Sequence, residues 1–569
     1  MSGPFGWISV EDAADRVAVS VATMRRWAAT GTVDAKKAGK NWVVNPATLG
    51  RKSVPSTQEI AGVAGVRLSA SWTHLTELDL RNPWVPDVLN FRDHVAEPAS
   101  IYAAAVQKLT EAGPFDPALV VDVPKTSLLT RNGCLLSIED RLAYQAAIDS
   151  IAKRIDRELS ANVYSARLEG PQTDRFFKSP TDQWVRWHSA VLKALQENNA
   201  WLVRTDLVAY YDTIHHQALF SDIDSMNPDP MVATALKSMI KRWTNERDVG
   251  IPQGPEASAV LANLYLLPVD RVMDDGDWQY FRYMDDIRIV APTRNRAMEA
   301  LRLFERETRR RGLILSSTKT HVQDTAEAVK SIVDRKLDAA AYLWQSRRIE
   351  EVQVMLRALV EETLEREGEP DARRLRFSLY RLRALRDRKA VREVLSNLER
   401  LSLLAKQVLE YLREWLPNPA VIDYLDGYLN DPNRNASAYM ASWLIAGLID
   451  LNQPPSDSLS RYCRRTMRDR NLPYYLRTLA ANLFALSRSP SDLVFIKTEL
   501  HSEFDPNMIR GYLVALARVG ALNRSVTRGL VARAPELQRT LNYLEGRAKL
   551  PYLVYAAPGP KSKAPTATK

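Results

Sequence analysis

Residues 279–291 read QYFRYMDDIRIVA. Two apolar, strand-like runs flank Met284-Asp285-Asp286, the pattern of a β-hairpin with two carboxylates at its tip. Neighbouring carboxylates repel, and a bound cation offsets that repulsion. A lone Asp-Asp pair is most often a solvated turn, so its surroundings decide the reading.

Three further segments supply them. WLVRTDLVAYYDTIHH, residues 201–216, is a short apolar strand running into Asp206, with Tyr211 and Asp212 just beyond. GIPQGPEASAVLANLYL, residues 250–266, is a Gly/Pro turn holding Gln253 and Gly254 that opens a helix of small residues. RGLILSSTKTHV, residues 311–322, is a strand ending at Lys319. Asp206 at a strand end and Asp285 at a hairpin tip can meet in space. Phosphoryl transfer from a nucleoside triphosphate calls for two divalent cations roughly 4 Å apart. One lowers the pKa of the attacking hydroxyl and the other neutralises the triphosphate. Oxygen ligands suit Mg2+, which takes few carboxylates plus substrate phosphates. Four such segments in this order, within about 120 residues, are poorly explained as unrelated turns.

Together these residues resemble the reverse transcriptase palm. Asp206 matches the family's first catalytic aspartate, and Tyr283-Met284-Asp285-Asp286 matches its Y-x-D-D box. The resemblance implies that Asp206, Asp285 and Asp286 are the catalytic, metal-binding set. Gly250 to Gly254 match the P-Q-G segment, whose Gln253 approaches the incoming nucleotide. Tyr211 falls at the steric gate against a ribose 2′-OH, and Lys319 near the triphosphate. Upstream, VPKTSLLTRNGCLLSIEDRLAYQAAI resembles the fingers, with Lys125, Arg131, Asp140, Arg141 and Gln145 at family-like positions. YSARL, with Arg167, resembles a further fingers element. The implied activity is RNA-directed DNA polymerisation from deoxynucleoside triphosphates, with an RNA template, a DNA product and Mg2+. No Cys/His-rich endonuclease finger, V-T-G thumb signature or ribonuclease H carboxylate set is legible. A palm followed by a long helical C-terminus resembles the bacterial abortive-infection and related "unknown group" enzymes, which implies a role in antiviral defence.

Residues 1–50 read as a separate unit. Ser9 is placed to cap a helix VEDAADRV, Ser20 a second helix VATMRRWAATG, and Lys40 to Val44 form a short strand. The order resembles the winged helix-turn-helix of excisionase/MerR-like modules, with Arg25 and Arg26 on the helix that enters the DNA major groove. Its net charge of +2 is small for strong binding by one copy. Residues 51–79 follow as a linker, beginning RKSVPSTQEI, and 80–330 as α+β fingers and palm.

Beyond 330 the chain turns helical. Residues 331–415 are expected to form a basic, thumb-like region. Within it, residues 373–392 hold nine Arg/Lys and one acid, Asp387. Arg374, Arg381 and Arg388 recur every seven residues beside a stripe of Leu375, Leu379, Leu382 and Leu385, and are the expected nucleic-acid contacts. Residues 416–556 carry a weak repeat. Similar helices start at Tyr439, Tyr475 and Tyr512, at intervals of 36 and 37 residues, as in a HEAT-like solenoid. Such a solenoid offers homo-oligomer contacts or, as the resemblance to abortive-infection enzymes implies, a Tyr or Ser hydroxyl that primes DNA synthesis on the protein. The tail 557–569 is expected to be disordered.

Composition sets the outer limits. The 569 residues are 46% hydrophobic and 26% charged, an ordinary globular balance for several domains. A formal charge of +10 favours polyanionic partners. Two cysteines, Cys134 and Cys463, exclude a disulfide framework and suit a reducing cytoplasm. No signal peptide or membrane-spanning run is legible. The fold class is therefore multidomain α+β: a right-hand palm and fingers, an all-α helical-repeat C-terminus and a small winged helix-turn-helix. Two other functions fit the same text: untemplated DNA synthesis by the same palm, and a DNA-binding regulator with an inactive palm. The intact carboxylate set disfavours the second, and a nucleotide-incorporation assay separates them.

Overall fold

In a computed structural model of the chain, the described residues are 66–554 except 82, 171–174, 199, 546, 548 and 549. Before them, 8–10, 13, 24, 25, 28, 35–38 and 41–44 are described. The latter include a three-stranded antiparallel sheet of β1 (Ile8–Ser9), β2 (Ala35–Ala38) and β3 (Asn41–Val44), in the order β1-β3-β2. Ser9 thus ends a strand that pairs with Val43, and β2 is a strand not expected from the sequence. Val10, Ala13, Met24, Arg25 and Ala28 are helical, but most of both expected helices, Arg26 included, lies outside the described residues.

The expected linker 51–79 needs correction at its end. Leu68, Trp72 and Leu75 share one helical face, so Leu68–Glu77 folds as a helix and buries them. Ser71 and His74 both reach Asp149, at 2.6 and 3.0 Å, which ties this helix to the long helix Ile138–Glu158. That long helix starts where the Ser137 hydroxyl accepts the Asp140 N–H.

Two sheets position the chemistry. β4 (Leu119–Pro124) and β5 (Thr130–Leu135) form an antiparallel hairpin. β6 (Trp201–Asp206), β7 (Gln279–Tyr283), β8 (Asp286–Ala291) and β9 (His321–Gln323) form an antiparallel sheet ordered β7-β8-β6-β9. Side chains alternate across it. Val203, Tyr280, Ile287 and Ile289 pack into one core with the helices Ser258–Asp274 and Arg294–Arg310. Leu202, Phe281 and Val290 point the other way, under Trp187, Val191 and Leu195 of the helix Pro180–Asn198. That second cluster covers only part of the face, so the ends of β6 and β8 stay open.

From residue 325 to 544 the described chain is helical, with loops and short 3-10 turns. One apolar core runs from Leu337 to Leu553 and takes in Val121 and Val123 of β4. Residues 331–415 and 416–554 therefore share a core. The helices Ala405–Leu412, Ala438–Asp450, Tyr474–Ala485 and Pro506–Arg518 pack one against the next, with Asp457–Arg468 and Pro490–Ser502 in a second layer. The far end of this stack returns to the fingers. Arg510 is buried between Asp87 and Asp93, at 2.6 and 2.8 Å, and Thr540 donates to Asp93 at 2.7 Å. The expected tail, 557–569, lies outside the described residues. Among the described residues no helix is long and apolar enough to cross a membrane.

Candidate active site

The β6–β8 register sets Asp206 directly opposite Asp286, at the open end of the sheet. Met284 and Asp285 form the two-residue turn between β7 and β8, and Met284 takes the left-handed conformation at φ 58°. The three acids thus arrive from one strand end and one hairpin tip. The crowding shows in the proton affinity of Asp285 and Asp286. Burial, then the charges of Asp206 and Asp286, push Asp285 up to about 6. Burial raises Asp286 too, while Arg288 opposes the rise. Lys319 Nζ holds Asp206 Oδ2 at 2.8 Å. Among the described residues, no three acidic, His or Cys side chains already stand gathered as a set of metal ligands. In chemical type the acids do fit Mg2+: hard oxygen donors, half-buried and mutually repelling.

The turn is held from beneath. Arg282 and Asp270 are fully buried and meet at 2.5 Å. Tyr280 donates to the same carboxylate at 2.9 Å, and Arg282 Nη1 donates to Asn263 Oδ1 at 2.9 Å and to the Met284 carbonyl at 3.1 Å. A guanidinium inside the core thereby fixes the backbone that carries Asp285. The sequence shows Arg282 as one more strand residue; only its partner on the helix Ser258–Asp274 gives it this place.

Tyr211 lies in the 3-10 turn Tyr210–Asp212, with its hydroxyl 4.0 Å from Met284 Sδ. Burial raises its pKa, with the charge of Asp285 adding to the rise. The P-Q-G loop crosses to the fingers: the Gln253 carbonyl accepts the Cys134 N–H at 2.7 Å. Gly254 has φ +143°, and a Cβ there would lie 2.7 Å from the Cys134 carbonyl oxygen, so no side chain fits. Lys125, just beyond β4, and Arg131, on β5, act on Asp212, where burial raises the carboxyl pKa and the two cations lower it. Arg131 Nε is buried without a hydrogen-bond partner. Asp206, Asp285, Asp286, Tyr211 and Lys319 therefore share one end of the sheet, and Lys125 and Arg131 face it across Asp212.

Other expected residues are structural. Asp140 is buried on Lys108 at 2.6 Å, Arg167 on Asp156 at 2.8 Å, and Gln145 on Asp149 at 2.7 Å. Of the arginine stripe, Arg374 pairs with Asp334 at 2.6 Å. Arg381 lies 3.5 Å from the Phe377 ring centroid and donates to the Phe377 carbonyl. Both are consumed by packing; Arg388 is exposed. The open face of the helix Ala372–Ala384 carries Arg373, Arg376 and Tyr380 instead, opposite the buried Leu375, Leu379 and Leu382. Arg376 feels Arg131 across the cleft. The signal was the leucine stripe, because the solvent face lies opposite it, whereas the seven-residue arginines flank it. Arg25 is exposed, far in sequence from these elements, and Arg26 is outside the described residues.

Sequence reading also missed the residues next to the acids. Arg204 and Arg288 face each other in the β6–β8 register, two pairs inward from Asp206 and Asp286. His188, on the helix Pro180–Asn198, donates to the Trp184 carbonyl at 3.1 Å. Burial lowers its pKa to about 4, and Arg373, Arg288 and Arg204 all add to that effect.

Comparison with known proteins matches this geometry at its centre. Residues 123–333 match the family model described as "Reverse transcriptase (RNA-dependent DNA polymerase)". Solved structures that match include apo telomerase from Candida tropicalis, truncated from its C-terminal domain, at 11% identity and TM-score 0.28. That match covers 39% of this chain and 54% of the other. Telomerase from Candida albicans with a TWJ fragment of telomeric RNA matches at 12% identity and TM-score 0.30, over 58% of this chain and 65% of the other. This chain thus spans less than two thirds of either. No curated protein matches the chain. Residues 123–333, which hold Asp206, Asp285 and Asp286, are thus similar to a reverse transcriptase domain.

Proposed function

We propose that the protein polymerises deoxynucleotides on an RNA template, with Mg2+ held by Asp206, Asp285 and Asp286. The observation that carries this reading is the Asp206–Asp286 register pair with Asp285 beside it, at the open end of the sheet. Mg2+, when bound, would acidify the attacking hydroxyl and offset the triphosphate charge. The chain's own residues do the rest. Lys319 orients Asp206. Tyr211 closes the floor under the sugar and leaves no room for a 2′-OH. Lys125 and Arg131 receive the triphosphate, and the unpartnered Arg131 Nε supplies a donor to it. Gln253 and Gly254 form the wall between palm and fingers.

The setting we propose is bacterial antiviral defence, supported by the resemblance in layout: a palm followed by a long helical stack of HEAT-like type. Residues 1–50 would recruit the enzyme to nucleic acid as a helix-turn-helix module. Priming on the protein is a second reading, supported by one tyrosine. Tyr428, Tyr462, Tyr475, Tyr512 and Tyr543 are buried. Tyr439 is half-buried at the start of its helix, and the charge of Arg131 acts on it.

The test is incorporation of labelled deoxynucleotides on an RNA template with a DNA primer and Mg2+, for wild type and for Asp285→Asn/Asp286→Asn. Template-dependent extension by the wild type, absent in the variant, is expected. Extension retained by the variant, or independent of template, would sink the reading. Omitting the primer and running the product before and after protease tests Tyr439 as the start point.

A further inference from the structure

A cavity of about 150 Å³ opens beside Asp286, walled by Arg204, Arg288, Arg373, Trp184 and His188. Two of the arginines come from the sheet. Residues two apart on a strand share a face, so Arg204 and Arg288 lie on the face of Asp206 and Asp286, roughly 7 Å further in. Arg373 closes the cavity from the helix Ala372–Ala384.

Like charges directly opposite in an antiparallel pair are destabilising. Here the relief is one-sided: Arg288 Nη1 donates to the Ile287 carbonyl at 2.8 Å, and Arg204 has no such partner among the described residues. Arg288 is 8% exposed, lies 4.9 Å from the Trp187 ring centroid, and stands 3.6 Å from Asp286. Among the described residues, the Arg204 and Arg373 side chains make no hydrogen bond or ion pair. The one acid in the wall, Asp286, is also assigned to the metal. A half-buried cavity with three guanidiniums and one shared carboxylate is built for an anion. Forked donors lining one cavity suit the tetrahedral oxygens of phosphate.

We propose that this cavity binds a backbone phosphate of the growing strand, next to the end whose hydroxyl faces Asp206 and Asp286. The proposal rests on the polymerase reading above. The incoming triphosphate is the weaker occupant, because its cations, Lys125 and Arg131, lie across Asp212, and neither lines this cavity. Free pyrophosphate shares the chemistry and is separated by the test.

The test compares wild type with R373Q, R204Q/R373Q and R204K/R373K. Arg373 is exposed and makes no bond, so R373Q removes charge without removing packing. Binding of a labelled DNA primer on an RNA template is followed by anisotropy over a KCl series in EDTA. R204Q/R373Q is expected to bind roughly tenfold more weakly. Its plot of log affinity against log salt should be shallower by about 0.7–0.9, the signature of one lost phosphate contact. The double lysine variant should retain most of that slope. Without ligand, the double glutamine variant should melt no lower than wild type, since it loses repulsion; a merely structural pair would lower it. If the glutamine variants lose thermal stabilisation by pyrophosphate while duplex affinity and slope stay at wild-type values, the strand assignment is overturned in favour of free phosphate. If none of these readouts moves, the site is overturned outright. Incorporation by the wild type on the same duplex is recorded alongside. Its absence with the salt signature intact defeats the polymerase reading and leaves the phosphate site standing. Its presence with no signature defeats the site alone.

Discussion

Glu369 accepts the main-chain N–H of Ser127 with both carboxylate oxygens, at 2.8 and 2.9 Å, and its hydroxyl at 2.5 Å. Ser127 sits in the loop between β4 and β5, and Glu369 just precedes the helix Ala372–Ala384. The fingers hairpin thereby touches the helical region and closes the cleft on that side.

Glu369→Ala should open this contact. The bonds are exposed, so the loss of stability should be about 1 kcal/mol or less. A primer–template duplex should associate faster, read by stopped-flow anisotropy. An unchanged association rate would show that the closed cleft is no barrier to entry.

Asp285 yields a pH-dependent prediction. Its folded pKa of about 6 is above the ordinary 3.8, so the folded state binds the proton more tightly. That stability is present in full below 3.8 and is lost as pH rises through about 6. In EDTA, Asp285→Asn should therefore gain on wild type in melting temperature between about pH 4.5 and 7.5, by roughly 1–2 °C. Added Mg2+ should raise the wild-type melting temperature and leave that of the variant nearly unchanged. A constant gap across this pH range would remove the carboxylate crowding from the account.

Tyr211→Ala should relax sugar discrimination by roughly tenfold or more, because an excluded 2′-OH then finds space. Competing ribo- and deoxynucleotides on one template measure this. Unchanged discrimination would move the gate elsewhere.

Asp270→Ala should cost about 3–5 kcal/mol, because it strands the buried Arg282 guanidinium. Urea denaturation measures that loss. Incorporation should fall as well, since Arg282 also holds the Met284 carbonyl. Arg282→Lys should not restore it, because one ammonium cannot serve Asp270, Asn263 and Met284 together. Full activity in a folded Asp270→Ala protein would show that the turn holds itself.

Much of the site was legible because its signals are local. A strand that ends in Asp206 and a hairpin with Asp285 and Asp286 at the tip each declare themselves within a dozen residues. Gly254 is readable as part of a Gly/Pro turn, whereas the Cys134 backbone that leaves no room for a Cβ there is a tertiary contact. The linker reading failed at Leu68–Glu77 because its apolar spacing was outweighed by the polar stretch before it. The seven-residue arginines misled because a period names a face without naming what that face meets. Arg374 and Arg381 meet Asp334 and Phe377.

The sequence alone determined the order of segments, the strand ends that carry the acids, and the helical character of the C-terminal half, all set by short-range periodicity and turn chemistry. Tertiary structure alone decided which distant polar and charged groups meet. It placed Arg282 on Asp270, Arg204 opposite Arg288, Ser127 on Glu369, and Arg510 between Asp87 and Asp93. The physical reason is that a charge carries no mark of its partner along the chain. Burial and register, which arise only when the sheet and its covering helices assemble, decide whether a guanidinium is neutralised, solvated or left facing an open cavity.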